Sequence, residues 1–241
     1  MKNLWSEIVR FFPIGTKRVL AAIILLMGLS GQAFSQATQV RVETRPDTNG
    51  VVVLAQNLGS GDTLRVYAVS RTAGNIFVAN VAATWSLDSL IAGMVGADLT
   101  PSSDGKSALL RGRLVGSGRI KATSGALDSI RSGRITIVPG PATKLRIFPE
   151  PSGTATAGVV FAQQPIVRIE DAAGNLVTSD GTTSVTAARL LGTGTLQGAL
   201  SQMAVGGIAT FTGLHHDTSG TISIRMTSSP ALTSDTSINI V

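Results

Sequence analysis

From residue 38 onward the chain is a succession of short runs in which apolar and polar residues alternate, broken by Gly, Pro, Asn and Asp. "TQVRVETR" sets Val40 and Val42 against charged neighbours, and "TLRVYAVS" sets Leu64, Val66 and Ala68 against Arg65, Tyr67 and Val69. A period of two sends successive side chains to opposite faces, so each run predicts a half-buried strand. "IFVANVAATWSL" predicts one strand continuing through Ala83, Trp85 and Leu87. "SALLRGRL" and "GRIKATS" read as a hairpin pair, and "SGRITIVP" closes the series with Ile135 and Ile137 on one face. Beyond "GPA" the same texture resumes. "TKLRIFP" and "QPIVRIED" open it, "GGIATFTGL" and "GTISIRMTS" read as another pair, and "TSINIV" reads as a closing strand. Only "SLIAGMVGADLT" stays open between a helical turn and a crossing loop.

The runs recur. "AGN" occurs at Ala73–Asn75 and again at Ala173–Asn175, each time between two alternating stretches. Gly accepts positive φ and Asn tolerates it, so Gly74, Asn75, Gly174 and Asn175 predict turns between strands. "ALLRG" precedes "ATFTG" by 101 residues, and the Ser-Gly pairs at 117 and 219 lie 102 apart. Offsets that grow slowly from 100 predict two copies, 38–139 and 142–241, with loop insertions between matched strands. About seven short strands in roughly 100 residues, with no room for long helices, predict a sandwich of two antiparallel sheets per copy. The fold class expected is all-β. The "GPA" junction is too short for a flexible spacer and carries a stiffening Pro.

Composition changes the picture at the N-terminus. Residues 1–35 run from the basic "MKNLWSEIVRFFPIGTKR" through the apolar "VLAAIILLMGL" to the small residues of "SGQAFS". That order is the signature of a secretory signal peptide, here a helix preceding the sandwiches, with cleavage after Ser35 or Ala37. Its apolar core is about half of the roughly 20 residues that a spanning helix needs. A retained N-terminal membrane anchor is the alternative, and it would be the chain's one membrane contact. Removing the segment discards Lys2, Arg10, Lys17, Arg18 and Glu7, and the formal charge falls from +6 to +3. The densest basic group left, Arg111, Arg113, Arg119 and Lys121, has no aromatic residues interleaved. It reads as a solvated strand face, and no nucleic-acid partner is expected. The absence of Cys removes disulfides and thiolate metal sites.

"DAAGN" followed by "GGIATFTGL" and "SGTISI" resembles bacterial immunoglobulin-like (Big-type) domains. The second copy carries the closer resemblance, on Asp171, Gly174, Asn175, Gly207, Ala209, Phe211, Leu214 and Gly220. The first copy is similar in "GDTLRVYAV", "ATWSL" and "SGRITIV". It departs at the turn, where Arg71 and Thr72 precede Ala73 without an Asp. The resemblance implies two tandem immunoglobulin-like sandwiches in a secreted, cell-surface or periplasmic bacterial protein. It implies a non-enzymatic structural or adhesive segment. The alternatives are a module that binds envelope or extracellular glycans or proteins, and an accessory segment of a larger extracellular enzyme.

Large side chains are scarce, so Trp85, Phe211 and Leu214 are expected to fill the gap of about 10 Å between packed sheets. His215 and His216 are adjacent and would project oppositely in a strand, which disfavours a shared metal. No GxSxG elbow accompanies them, and no catalytic residue or cofactor is expected. Asp171 is the one metal candidate. With oxygens near Gly174 and from Asn175 or Asp180 it could contribute to a calcium site, against the commoner role of capping its own turn.

Overall fold

The computed structural model describes residues 36–241, and the expected signal segment lies outside them. The first half contains β1 (Gln39–Glu43), β2 (Gln56–Gly59), β3 (Thr63–Arg71), β4 (Phe77–Asn80), β5 (Thr84–Ala92), β6 (Leu99–Pro101), β7 (Ser107–Arg111), β8 (Gly116–Thr123), β9 (Asp128–Ile130) and β10 (Ile135–Val138). These form two sheets, β6-β7-β3-β1-β9 with β4 beside β3, and β2-β10-β8-β5. Pairing is antiparallel except for β1 with β9 and β2 with β10. The second half contains β11 (Lys144–Ile147), β12 (Ile166–Glu170), β13 (Ser184–Leu191), β14 (Leu196–Gln197), β15 (Ser201–Met203), β16 (Ile208–Thr210), β17 (His215–His216), β18 (Ser223–Ser229) and β19 (Asp235–Thr236). Its sheets are β11-β12-β16, β15-β13-β18-β19 and the small pair β14-β17. Among the described residues no helix is long and apolar enough to cross a membrane.

The alternating residues supply the cores. Val40, Val42, Val66, Ala68, Ile120 and Ile135 belong to one buried cluster. Leu145, Ile147, Val167, Val185, Ile224 and Met226 belong to a second that shares no residue with it. Each cluster lies in the half that supplies it, and the two are called the N-terminal and C-terminal units below.

Three expectations are corrected. β7 and β8 are not a hairpin: β7 pairs β3 in one sheet, and β8 pairs β5 and β10 in the other. β16 and β18 likewise sit in different sheets. Alternation identifies a strand without naming its partner, and these connections cross from one layer to the other. The run from Ile76 to Leu87 also changes sheet, splitting into β4 and β5. Such breaks raise the strand count of the N-terminal unit to ten. Finally, "TSINIV" is interrupted: Thr236 pairs with Arg225 in β19 and Ile240 bridges Ile222, but between them Ser237 turns its hydroxyl into the ladder to accept the Ile224 N–H at 2.9 Å.

That serine has a counterpart in the N-terminal unit. Ser132 Oγ accepts the Ile120 N–H at 2.8 Å, and the Ser132 N–H donates to the Ile120 carbonyl as Ser237 does to Ile224. The AGN turns correspond too, with their letters out of step by one. Thr38 N–H donates to Arg71 O, and Thr143 N–H donates to Glu170 O. Asn75 N–H closes on Thr72 O at 2.9 Å, whereas Gly174 N–H closes on Asp171 O at 3.1 Å. The hydrogen bonds therefore match Arg71 to Glu170, Thr72 to Asp171, Asn75 to Gly174 and Ile76 to Asn175. The positive φ falls on Asn75 (65°) in one turn and on Gly174 (91°) in the other, while Gly74 is not left-handed.

Candidate functional site

The residues that converge most tightly lie where the two units meet. Three segments of the N-terminal unit form the receiving surface: the turn Gly59–Asp62 after β2, the crossing 112–115 between β7 and β8, and the linker 139–141. The turn and crossing brace each other, since Gly61 N–H donates to Gly112 O and Gly112 N–H donates to Asp62 O, both at 2.9 Å. Arg113 is tied back by an Nε contact to Asp98 Oδ1 at 3.2 Å, and Asp98 Oδ2 accepts the Val95 N–H.

Asn175 enters this surface from the C-terminal unit. Its Nδ2 donates to Arg113 O at 2.8 Å, to Ser60 Oγ at 3.1 Å and to Asp171 Oδ2 at 2.8 Å. Its Oδ1 accepts the Val115 N–H at 2.9 Å. Both ends of the amide are satisfied, and the side chain is only 6% exposed. The Asp171 carboxylate holds the amide in place. Oδ1 accepts from Ala173 N–H and Asn175 N–H, and Oδ2 accepts from Gly140 N–H at 2.9 Å as well as from Asn175. Gly140 sits so close to Ser60 that a Cβ would fall 2.5 Å from the Ser60 carbonyl oxygen. Burial acts to raise the Asp171 pKa, but the hydrogen bonds from Asn175 and Gly140 outweigh it and hold the carboxyl below its ordinary value.

Both oxygens of Asp171 therefore already face N–H donors, which is the turn-capping geometry. Asp180 is similarly occupied by Thr182 N–H, Thr183 N–H and Thr183 Oγ1. Among the described residues no group of three or more acidic or histidine side chains could hold a metal ion. A cleft of about 610 Å³ opens beside the joint between Ser60 and Asp62 on one side and Ser179 and Asp180 on the other.

The other sequence candidates lie apart from this joint. Phe211 and Leu214 are fully buried in the C-terminal core. Trp85 packs in the N-terminal core and donates its Nε1–H to Gly105 O at 2.7 Å. Asn75 Oδ1 accepts from Arg41, and Gly74 stands at an open turn. His215 and His216 contact different carbonyls, Gly213 and Thr218, and do not converge. The expected counterpart of Asp171, Arg71, is a buried ion-pair partner instead. Its Nε and Nη2 grip Glu43 at 2.6 and 2.8 Å, and Nη2 also donates to Gly50 O. Phe77 lies 5.9 Å from its guanidinium carbon.

Ser60, Arg113, Val115 and Gly140 were not singled out as a site from sequence. Three of them act through the main chain, which leaves no side-chain signature. The one available signal was the brevity of "GPA", which keeps the two units within reach of each other.

No protein-family model matches the chain, and no curated protein sequence matches it. Several solved structures do at low similarity. An adhesin from Yersinia pseudotuberculosis, InvE, is 16% identical over 76% of this chain and 55% of its own, with a TM-score of 0.32. The Escherichia coli adhesin FdeC is 14% identical over 86% of this chain and 65% of its own, at 0.36. A β-glycosidase from Bacteroides vulgatus is 13% identical over 75% of this chain and 23% of its own, also at 0.36. The chain thus spans between about half and two thirds of the two adhesin structures. Likenesses of this size settle neither family nor ligand, and the all-β layering rests on the strand pairings above.

Proposed function

We propose that the chain is an exported, non-enzymatic structural or adhesive segment. In this reading two immunoglobulin-like sandwiches, 38–139 and 142–241, are held end to end as a stiff pair. The observation that carries it is Asn175, a polar side chain buried between the units with every amide position paired across the joint or to Asp171. A buried amide left unpaired would cost roughly 1–3 kcal/mol, so hinge motion that pulled it out without water entry is disfavoured. The close approach of Gly140 to Ser60 supports the same reading, because it restricts the linker. Stiffness suits a spacer that presents something at a distance. Export is supported by the three-part composition of residues 1–35.

Backbone ¹⁵N relaxation of residues 36–241 tests the joint. Both units should tumble with one correlation time. Asn175→Ala should give each unit its own, shorter one while each remains folded. Independent tumbling of the unaltered protein would overturn the stiff-pair reading.

A further inference from the structure

The fold divides the basic group Arg111, Arg113, Arg119 and Lys121. Arg111 sits on β7 in one sheet of the N-terminal unit, and Arg113 is tied to Asp98. Arg119 and Lys121 stand on β8 in the other sheet, β2-β10-β8-β5. They face away from the core, since their neighbours Ile120 and Ala122 are buried in it. The register sets Asp88 opposite Arg119 and Ser86 opposite Lys121. Ile135 pairs with Gly118, so one residue earlier on that strand Arg134 comes against Arg119. Arg131, between β9 and β10, reaches the same face, where its Nε lies 2.8 Å from Asp88 Oδ2. Four cations therefore gather around one carboxylate.

The sheet gains nothing from this arrangement by itself. Like charges directly opposite on neighbouring strands are destabilising, and two arginines are set that way here. Neither Arg119 nor Lys121 makes an ion pair or a side-chain hydrogen bond among the described residues. Arg134 is held by one nitrogen. Its Nη1 donates to Ser117 Oγ at 2.9 Å and to Ser89 O at 3.2 Å, while Nε and Nη2 have no protein acceptor among the described residues. The bulge in β5 between Asp88 and Ile91 delivers that carbonyl, with Ser89 at a φ of 52°, a conformation that costs a residue with a side chain. The same bulge brings Ile91 to the outer face opposite Ser117, where it is 56% exposed. Hydroxyls of Ser86, Thr123 and Thr136 border the cations.

We propose that this face binds an acidic polysaccharide, with its carboxylate or sulfate groups over Arg119, Lys121 and Arg134. The rise and spacing of strands put the anchors of Arg119 and Lys121 about 7 Å apart and that of Arg134 about 5 Å to the side. Anionic groups repeat on this scale along a chain of acidic sugars. Guanidinium groups grip oxyanions through paired N–H donors, and a field of one sign concentrates an oppositely charged polymer. The bordering hydroxyls suit sugar hydroxyls, and Ile91 offers an apolar surface to the C–H edge of a ring. Single-stranded nucleic acid is the poorer match. Its bases need aromatic platforms, and the one aromatic residue of this sheet, Trp85, is packed in the core. The proposal goes beyond the structural role and does not depend on the stiffness of the joint.

The test titrates ¹⁵N-labelled protein, residues 36–241, with oligomers of galacturonate, of heparin and of neutral dextran. Saturable amide shifts are expected at Arg119, Lys121 and Thr136 with one or both acidic oligomers and none with dextran. Response to galacturonate assigns carboxylate as the recognised group, and response to heparin alone assigns sulfate. Affinity should fall about tenfold as NaCl rises from about 0.05 to about 0.3 M. Arg119→Thr with Lys121→Thr should weaken binding roughly tenfold or more through lost charge-assisted hydrogen bonds. Arg65→Thr with Arg111→Thr removes the same charge from the other sheet and should change it by no more than about twofold, since exposed charges beyond a Debye length are screened. Unmoved amides at these positions overturn the proposal, as do equal losses for the two double variants or equal binding of dextran. Single-stranded DNA of the same length binding more tightly than both acidic sugars would make this a nucleic-acid surface and also overturn it.

Discussion

The two AGN turns have nearly the same backbone and different surroundings. In each, the residue that begins the turn accepts the same N–H with its side chain: Thr72 Oγ1 from Ile76 at 3.1 Å, Asp171 Oδ1 from Asn175 at 2.9 Å. In the first turn the receiving residue, Ile76, is 62% exposed. In the second it is Asn175, which is buried against the other unit. Asp171 has a second oxygen to offer where Thr72 has only a methyl group, and that oxygen steadies Asn175 and reaches Gly140. A turn common to both units thus becomes a connector through two polar substitutions. The ion pairs made by the matched residues Arg71 and Glu170 diverge as well. Arg71 and Glu43 are buried and in close contact, whereas Glu170, also buried, lies 3.9 Å from two more exposed partners, Lys144 and Arg168.

The largest expected effect sets the two cores apart. Phe211→Ala should destabilise the C-terminal unit by about 3–5 kcal/mol through lost burial and an unfilled cavity. A denaturant melt that follows each unit separately should leave the N-terminal one unaffected. A change below about 1 kcal/mol would place the ring outside the core, since surface changes usually stay within about 0.5 kcal/mol.

Arg71→Ala should cost the N-terminal unit about 3–5 kcal/mol, because it leaves the buried Glu43 with only the longer contact to Arg41 at 3.7 Å. Glu170→Ala removes a longer, more solvated contact and should cost about 1 kcal/mol or less. Equal costs for the two variants would break the contrast between the pairs.

The acid response comes next. The Asp171 pKa is lower folded than unfolded, so its contribution is present above the unfolded value near 3.9 and lost as pH falls through the folded value. Acid titration should therefore loosen the joint below about pH 4, and Asp171→Asn should remove that part of the profile. The melting temperature should respond equally to calcium and to chelator, because Asp171 already faces four N–H donors. A calcium-dependent rise that Asp171→Asn abolished would assign it to a metal instead. The smallest effect belongs to Ile76→Asn, which should change stability by no more than about 0.5 kcal/mol.

Much of the layering was legible in the alternation. Val40, Val42, Val66 and Ala68 point inward as their period requires, and so do Leu145 and Ile147. Partners were not legible, because a two-residue period is the same whichever sheet a strand joins. β7 and β8 show this: the crossing at 112–115 carries no local mark of leaving one layer for the other. The turn correspondence misled for a related reason. Identical letters at a spacing of 100 suggested identical roles, but the backbone closes at Thr72 and at Asp171, a spacing of 99. The joint was hidden further because Asn175 reads carbonyl and amide groups, which every sequence contains.

The direction of β1 and β10 bears on how the molecule would carry load. Both run toward the joint: β1 is antiparallel to β3, and β10 is parallel to β2, which leads into the turn at Gly59. A pull on the chain ahead of Gln39 against a pull beyond Val138 would draw these two strands in opposite senses along their own axes. The bonds between β1 and β3, and those tying β10 to β2 and β8, would be strained together rather than peeled one at a time.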